Sequence, residues 1–313
     1  MNAATKAQLQ IHFCVLLWGF TAILGKLITL PALPLVWWRM VLVVIVLVFV
    51  PRVWRALRTM SLRLCLAYAG IGGIVALHWL TFYGAIKLAN ASVAATCIAL
   101  ATVFTALVEP WLTRGRFSRR DLALGIAVLP GVALVTGGVP ANMRLGIAVG
   151  ALSALLVAIF GSLNKRFVHH GEPLTVTALE LGAGVLVLTA LAPLMPLLFP
   201  PFAGDVFAVP GQRDLLLLAT LALACTLLPF ALSFVALRHM SAFAAQLAVS
   251  LEPVYAIVLA IVLLGEQREL TPFFYFGVVI ILGAVLVHPM LSRPRRLKHP
   301  EILGTAEAKQ LVD

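Results

Sequence analysis

Charge is scarce in this sequence. Charged side chains make up 11% of its 313 residues, against about a quarter in an ordinary soluble domain. Acidic groups are rarer still, with 12 Asp and Glu against 23 Lys and Arg. No polar stretch is long enough to fold as a separate soluble domain. Cysteine is confined to Cys14, Cys65, Cys97 and Cys225, all in apolar segments and none in a Cys-x-x-Cys pair, which excludes a disulfide framework and a thiolate metal site. Also missing are a His-Glu-x-x-His zinc helix, a Gly-x-Ser-x-Gly elbow and a Gly-x4-Gly-Lys-Ser/Thr phosphate loop, so the sequence carries neither an enzyme signature nor a cofactor site. His169 and His170 form a pair with too few companions for a metal site.

What is abundant is hydrocarbon: 62% hydrophobic residues and a mean hydropathy of +1.06. A bilayer core of roughly 30 Å takes about 20 apolar residues per helix, and such runs recur along nearly the whole chain. The expected fold is an all-α integral membrane protein of ten transmembrane helices, near residues 9–29, 34–51, 63–86, 91–112, 121–138, 144–166, 174–199, 213–237, 242–264 and 272–291. The first run, "IHFCVLLWGFTAILGKLITL", is too long for a signal-peptide core and is expected to stay as a helix. Aromatics such as Trp37, Trp38 and Trp54 read as interfacial belts.

The net charge of +11 does not point to nucleic acid, because the basic residues sit at the ends of apolar runs, where positive charge orients a membrane protein. Basic links such as "RVWRALRTMSLR" and "TRGRFSRR" alternate with Pro- and Gly-bearing links such as "TLPALP" and "GGVPAN". All Lys and Arg except Lys26, Arg39, Lys87, Arg144, Arg213 and Arg268 fall on one side, which places both termini in the cytoplasm. A bacterial inner or plasma membrane is the expected location. The tail over residues 292–313 begins basic and ends polar, as an anchor near anionic membrane lipid followed by a disordered end.

The two halves repeat. An offset of 151 aligns Ala85 with Ala236, Lys87 with Arg238, Ala91 with Ala242 and Thr102 with Pro253, and an offset of 152 aligns Gly125 and Gly131 with Gly277 and Gly283. An offset of 139 pairs Lys26 with Lys165 and Pro34 with Pro173, more sparsely. Five spans per half, over residues 1–138 and 139–291, force the second copy into the membrane upside down. Inverted repeats suit secondary transporters, with substrate near the midplane between the halves, where helices are interrupted.

The sequence resembles the EamA-type, ten-helix members of the drug/metabolite transporter superfamily. The resemblance is carried by "LLWGF" in the first helix, "FYGAIKLANASVAA" across the third and fourth, "SLEPVYAIVLAIVLLGE" in the ninth and "GVVIILGAVLV" in the tenth. It implies two inverted five-helix repeats around a central cavity and export of amino acids or other small metabolites. Where the family often has a proline in the fourth helix this chain has Thr102, and where a glutamate often follows it has Gly115. The second half keeps both, as Pro253 and Glu266.

Ionisable groups at membrane depth cost roughly 2.5–3.5 kcal/mol each on insertion scales, and so mark function by default. Glu252 lies about ten residues into the ninth helix, roughly 15 Å at 1.5 Å per residue. Pro253 beside it cannot donate its amide and disfavours the carbonyl of Val249, so a kink is expected there, with Gln246, Ser250 and Tyr255 as neighbours. Glu252 either lines a cavity or pairs with a basic residue as structural glue. Arg39 and Lys26 could attract a substrate carboxylate or pair with Glu252, and Lys26 could equally snorkel to the surface. His78, with Trp79 and Tyr83 nearby, either carries a coupling proton or is a hydrogen-bonded packing residue. Glu180 is a further candidate, Asn164 and Trp18 fit cavity lining, and Glu109 is expected to snorkel or pair with Arg114 or Arg116.

These residues favour a secondary transporter of a small-molecule substrate, an exporter of amino acids or related metabolites working by alternating access. If a proton is coupled, Glu252 is its first carrier, then His78 and Glu180. The alternative is a membrane-embedded enzyme acting on a lipid-linked substrate; a scaffold leaves the buried charge unexplained.

Overall fold

The computed structural model describes residues 3–137, 139–249, 251–265 and 271–291. Every regular element among them is helical, as hydrocarbon demands of a chain that must satisfy its backbone hydrogen bonds internally. The helices are α1 (Ala3–Leu27), α2 (Ala32–Val48), α3 (Pro51–Thr59), α4 (Leu62–Leu88), α5 (Ala91–Cys97), α6 (Ala101–Thr113), α7 (Arg119–Gly137), α8 (Arg144–Phe167), α9 (Pro173–Leu191), α10 (Met195–Leu198), α11 (Gln212–Ala222), α12 (Leu228–Leu237), α13 (Ala242–Val249), α14 (Glu252–Leu264) and α15 (Pro272–Leu291). A 3-10 turn, Ile98–Leu100, joins α5 to α6, and a π-helical turn, Leu223–Leu227, joins α11 to α12.

Helix stands in each of the ten expected windows. By length and apolarity, seven helical stretches among the described residues could cross a membrane, or eight if α2 and α3 count as one bent span. The basic link after α2 is not a plain link. Pro51 opens α3, which runs at 89° to α2 with Val53 buried and Arg52, Arg55 and Arg58 exposed. At nine residues it is too short to register in a span-length hydropathy window, and its arginines recur at helical spacing on one face. The seventh window also departs from expectation. The long helix ends at Leu191 rather than near residue 199, because Pro193 and Pro196 lack the amide hydrogens that would continue it.

Helix ends carry their own signals. Ser61 caps α4 by accepting from the Leu64 amide and Asn90 caps α5 by accepting from that of Val93; Glu172 caps α9 through the Thr175 amide, with Pro173 in the first helical position. The αL residue Gly265 closes α14 with φ 71°, a backbone that only glycine adopts freely.

Helix α4 is central, packed against α8 on one flank and α9 on the other, while α1 packs on α12 and α14, and α7 on α15. Small residues permit these approaches, as usual between membrane helices. A Cβ on Gly72 would land on the backbone of Glu180, and one on Gly150 would crowd Cys97. The α4–α9 contact is therefore backbone to backbone, and it fixes the depth of Glu180.

Links are clasped by charge. Lys87 Nζ donates to Ile28 O (2.5 Å), the Thr29 amide and hydroxyl donate to Asp214, and Arg238 Nη2 donates to Gly171 O (3.0 Å). Glu109 does not pair with Arg114 or Arg116. Its carboxylate accepts from the Ala242 amide (2.8 Å) and the Phe243 amide (2.6 Å), while Ser241 Oγ accepts from Ala244 N. Three orphan donors at the start of α13 are thus satisfied, two of them by a residue near the end of α6. Hydrogen bonds to a charged group are worth about 1.5–3 kcal/mol each. Glu109→Ala is expected to cost roughly 2–4 kcal/mol of stability after relaxation, read as a lower thermal unfolding midpoint of the detergent-purified protein.

Candidate functional site

The ninth expected helix runs as one membrane-length stretch, Ala242–Leu264, interrupted at Leu251, whose amide donates to Ala248 O. α13 stops at Val249 and α14 restarts at Glu252, with Pro253 in its first turn. Proline is well placed there, since its missing N–H is one of the donors a helix start leaves unpaired anyway. Glu252 stands beside the interruption, directly before Pro253. Ser250 lies outside the described residues.

A cavity of about 120 Å³ opens against this interruption, far above the 10–15 Å³ that hold one water. Trp18, Arg39, His78, Trp79, Asn164, Gln246 and Glu252 line it, with Phe160, Phe230 and Phe234 completing an aromatic wall. Seven sequence candidates from α1, α2, α4, α8, α13 and α14 thus converge.

Arg39 is its electrostatic centre. It is buried, with only 2% of its surface exposed. Its guanidinium donates from Nη1 to Tyr83 OH (2.9 Å), from Nε to Thr226 Oγ1 (2.6 Å) and from Nη2 to Cys225 O (3.5 Å), and Cζ stands 3.8 Å from the centre of the Trp79 ring. Tyr83 therefore serves behind the wall, as an acceptor for Arg39. The Cys225 carbonyl is available for a physical reason: its i+4 partner is Pro229, which has no amide hydrogen. The chain passes this point as a π turn, a form common at functional sites, and Thr226 Oγ1 donates back to Leu221 O (2.7 Å). Cys225 and Thr226 were not among the sequence candidates. Pro229 was the signal that could have found them.

Glu252 lines the same cavity as Arg39, while the guanidinium's hydrogen bonds go to Tyr83, Thr226 and Cys225. An arginine and a glutamate thus line a shared space walled by aromatic rings.

The remaining candidates take lesser or different places. His78 Nδ1 lies 2.9 Å from Ser153 O, and Ser153 Oγ donates to His78 O (3.0 Å). With the serine proton spent on that carbonyl, Nδ1 is the donor to Ser153 O, so the ring ties α4 to α8 as well as lining the cavity. Glu180 is fully buried behind Asn164, whose Nδ2 donates to Glu180 Oε2 at 3.4 Å. Tyr255 is half-buried, packed where Gly19 of α1 has no side chain. Lys26 is exposed in the last turn of α1, outside the cavity. Among the described residues no cluster of His, Cys, Asp and Glu could hold a metal ion.

The EamA-like transporter family matches residues 5–137 and again residues 144–288. Over 219 residues the chain is 25% identical to the uncharacterized transporter YxxF of Bacillus subtilis (strain 168), covering 68% of this chain and 66%, about two thirds, of the length of that relative. A crystal structure with 18% sequence identity superposes on 92% of this chain and 98% of its own, with a TM-score of 0.67, a likeness of fold alone. The repeated family match, the apolar helices and the central cavity identify a multi-pass integral membrane protein, a member of the EamA-like transporter family within the drug/metabolite transporter superfamily.

Proposed function

We propose that this protein is a secondary transporter that moves small zwitterionic metabolites, amino acids above all, by alternating access, and that it exports them. The observation that carries this reading is that Arg39 and Glu252 both line one aromatic-walled cavity. An amino acid brings one carboxylate and one ammonium. Arg39 is built to receive the first, as a guanidinium fork fixed in place from behind, and Glu252 the second. Neither charge then has to be desolvated without a partner.

Two inverted five-helix repeats, over residues 1–138 and 139–291, would supply the motion. Support comes from contacts that match at the 151-residue offset. Lys87 and Arg238 each donate to a carbonyl in the first link of their half, Ile28 O and Gly171 O. At the same offset the 3-10 turn Ile98–Leu100 matches the stretch that holds the interruption at Leu251. Ten spans, both termini in the cytoplasm and a bacterial inner or plasma membrane complete the reading. Among the described residues of the lining, the hydroxyls of Thr21 and Ser233 are given to backbone carbonyls, those of Trp18 and Phe230, which favours transport over catalysis on a lipid-linked substrate.

Counterflow in proteoliposomes tests this. Vesicles loaded with unlabelled solute are expected to draw in labelled amino acids and to ignore labelled nucleosides. Exchange of nucleosides or other uncharged solutes without exchange of amino acids would overturn the zwitterion reading.

A further inference from the structure

At the cavity wall sits a second polar pair, of which Asn164 lines the cavity and Glu180 lies behind it. Glu180 of α9 and Asn164 of α8 meet across the bundle, Asn164 Nδ2 donating to Glu180 Oε2 at 3.4 Å. Glu180 is 0% exposed and Asn164 3%. Two of their atoms, Glu180 Oε1 and Asn164 Oδ1, are buried without a hydrogen-bond partner. Both are acceptors when the carboxyl is ionised, so neither can serve the other, and two unpaired buried acceptors are expensive.

We infer that Glu180 and Asn164 form a proton-binding site, in which the protonated carboxyl and the amide close a reciprocal ring of two hydrogen bonds. One proton on Oε1 turns it into a donor, and the acceptor left over on the neighbouring amide is Asn164 Oδ1. The amide gives from Nδ2 and receives at Oδ1, and the acid does the converse. A single proton thereby satisfies both orphaned atoms.

The surroundings offer an ionised Glu180 little else. From α4 the titratable neighbour is Tyr68, whose hydroxyl is already given to Phe167 O (2.8 Å). His78, also on α4, is engaged with Ser153. Arg39 of α2 has Tyr83, Cys225 and Glu252 as its electrostatic partners. Arg238, past the end of α12, donates to Gly171 O, and Lys165 of α8 to Leu237 O. The arginines of α3 are exposed. Glu252, by contrast, lines one cavity with Arg39.

The site also has a route to the cavity, since Asn164 lines it and Glu180 does not. With the proton bound, both ends of the Asn164 amide are held by Glu180. Without it, Oδ1 is free to turn toward the cavity and meet a substrate donor. Proton occupancy would thus reset the polarity of one wall. This coupling step rests on the transporter reading above; the proton site itself does not.

Infrared spectroscopy of the protein in lipid decides the matter without any substrate. The wild type at neutral pH is expected to show the carbonyl stretch of a protonated carboxylic acid. The band should vanish in Glu180→Gln, shift in Asn164→Leu and persist in Glu252→Gln. A wild type with no such band from mildly acidic to neutral pH, or a band unchanged in Glu180→Gln, would overturn the site. If Glu180→Gln does not fold, Asn164→Leu and the wild-type pH titration still decide it. In proteoliposomes, the ratio of gradient-driven accumulation to equilibrium exchange is expected to fall to about one in Glu180→Gln, and a ratio equal to that of wild type would overturn the coupling. Should no solute be transported at all, the infrared band still tests the proton site alone.

Discussion

Arg39→Lys is expected to reduce amino-acid counterflow about a hundredfold, roughly 2.7 kcal/mol at 1.36 kcal/mol per decade, while leaving most of the fold's stability in place. The charge is kept and the geometry is lost. Arginine reaches Tyr83, Thr226 and the Cys225 carbonyl from three different nitrogens and stacks its plane over Trp79. Lysine brings a compact point charge on a flexible stem, which cannot make that fork or that stack. Losing one charge-assisted hydrogen bond at about 1.5–3 kcal/mol, or a desolvated cation–π contact at about 2 kcal/mol, already accounts for the effect. Arg39→Ala should do more. It strands Tyr83, Thr226 and the Cys225 carbonyl and leaves Glu252 without a countercharge, a change of about 3–5 kcal/mol in folding stability when one partner of a buried pair is removed. Counterflow rate and thermal unfolding, measured on both variants, separate the two effects. Wild-type exchange in Arg39→Lys would show that the guanidinium is structural glue and that substrate is held elsewhere.

Most of the fold was legible because the bilayer leaves so few options. A chain that must bury its own amides in hydrocarbon writes helices of near-fixed length, and the positions of those helices followed from apolar runs alone. What escaped were the places where the chain stops obeying that rule. α3 is short and polar, hence invisible to a span-length average, and the end of α9 is masked because two prolines sit inside a greasy run. The ninth helix illustrates the division. Glu252 and Pro253 announced an irregularity, and an interruption at Leu251 stands beside them within a single span. The matching stretch of the fourth helix has Thr102 at the position of Pro253, keeps its amide hydrogens and merely tightens into a 3-10 turn.

Site residues divide on the same line. Burying a charge is costly enough that Arg39, Glu180 and Glu252 stood out individually, and the structure brings Arg39 and Glu252 to one cavity. Their partners were not legible, because a carbonyl such as that of Cys225 or a cap such as Glu109 on α13 has no identity in the sequence until helices are packed. Lys26 shows the converse: a lysine near a helix end carries no signal that distinguishes substrate from surface, and in the folded chain it is exposed.

Glu252→Gln is the second variant with a large expected effect. Its carboxylate stands at the first position of α14, 6% exposed, on the cavity wall opposite Arg39. The amide is nearly the same size, so packing at the interruption should survive and the change is one of charge. A zwitterion entering the variant cavity would place its ammonium against a neutral amide in a low-dielectric space, losing a charge-assisted hydrogen bond of about 1.5–3 kcal/mol. The half-saturation concentration for amino acids should rise about 10- to 150-fold on that basis, and exchange measured far below saturation should fall by the same factor. Because Arg39 remains, a solute with a carboxylate and no amine should lose much less, so its rank against the amino acids should rise or invert. That inversion separates the assignment from a general loss of function. If Glu252 instead carried the coupling proton, the variant would keep amino-acid exchange and lose only its response to a pH gradient, and the roles of Glu252 and Glu180 would have to be exchanged.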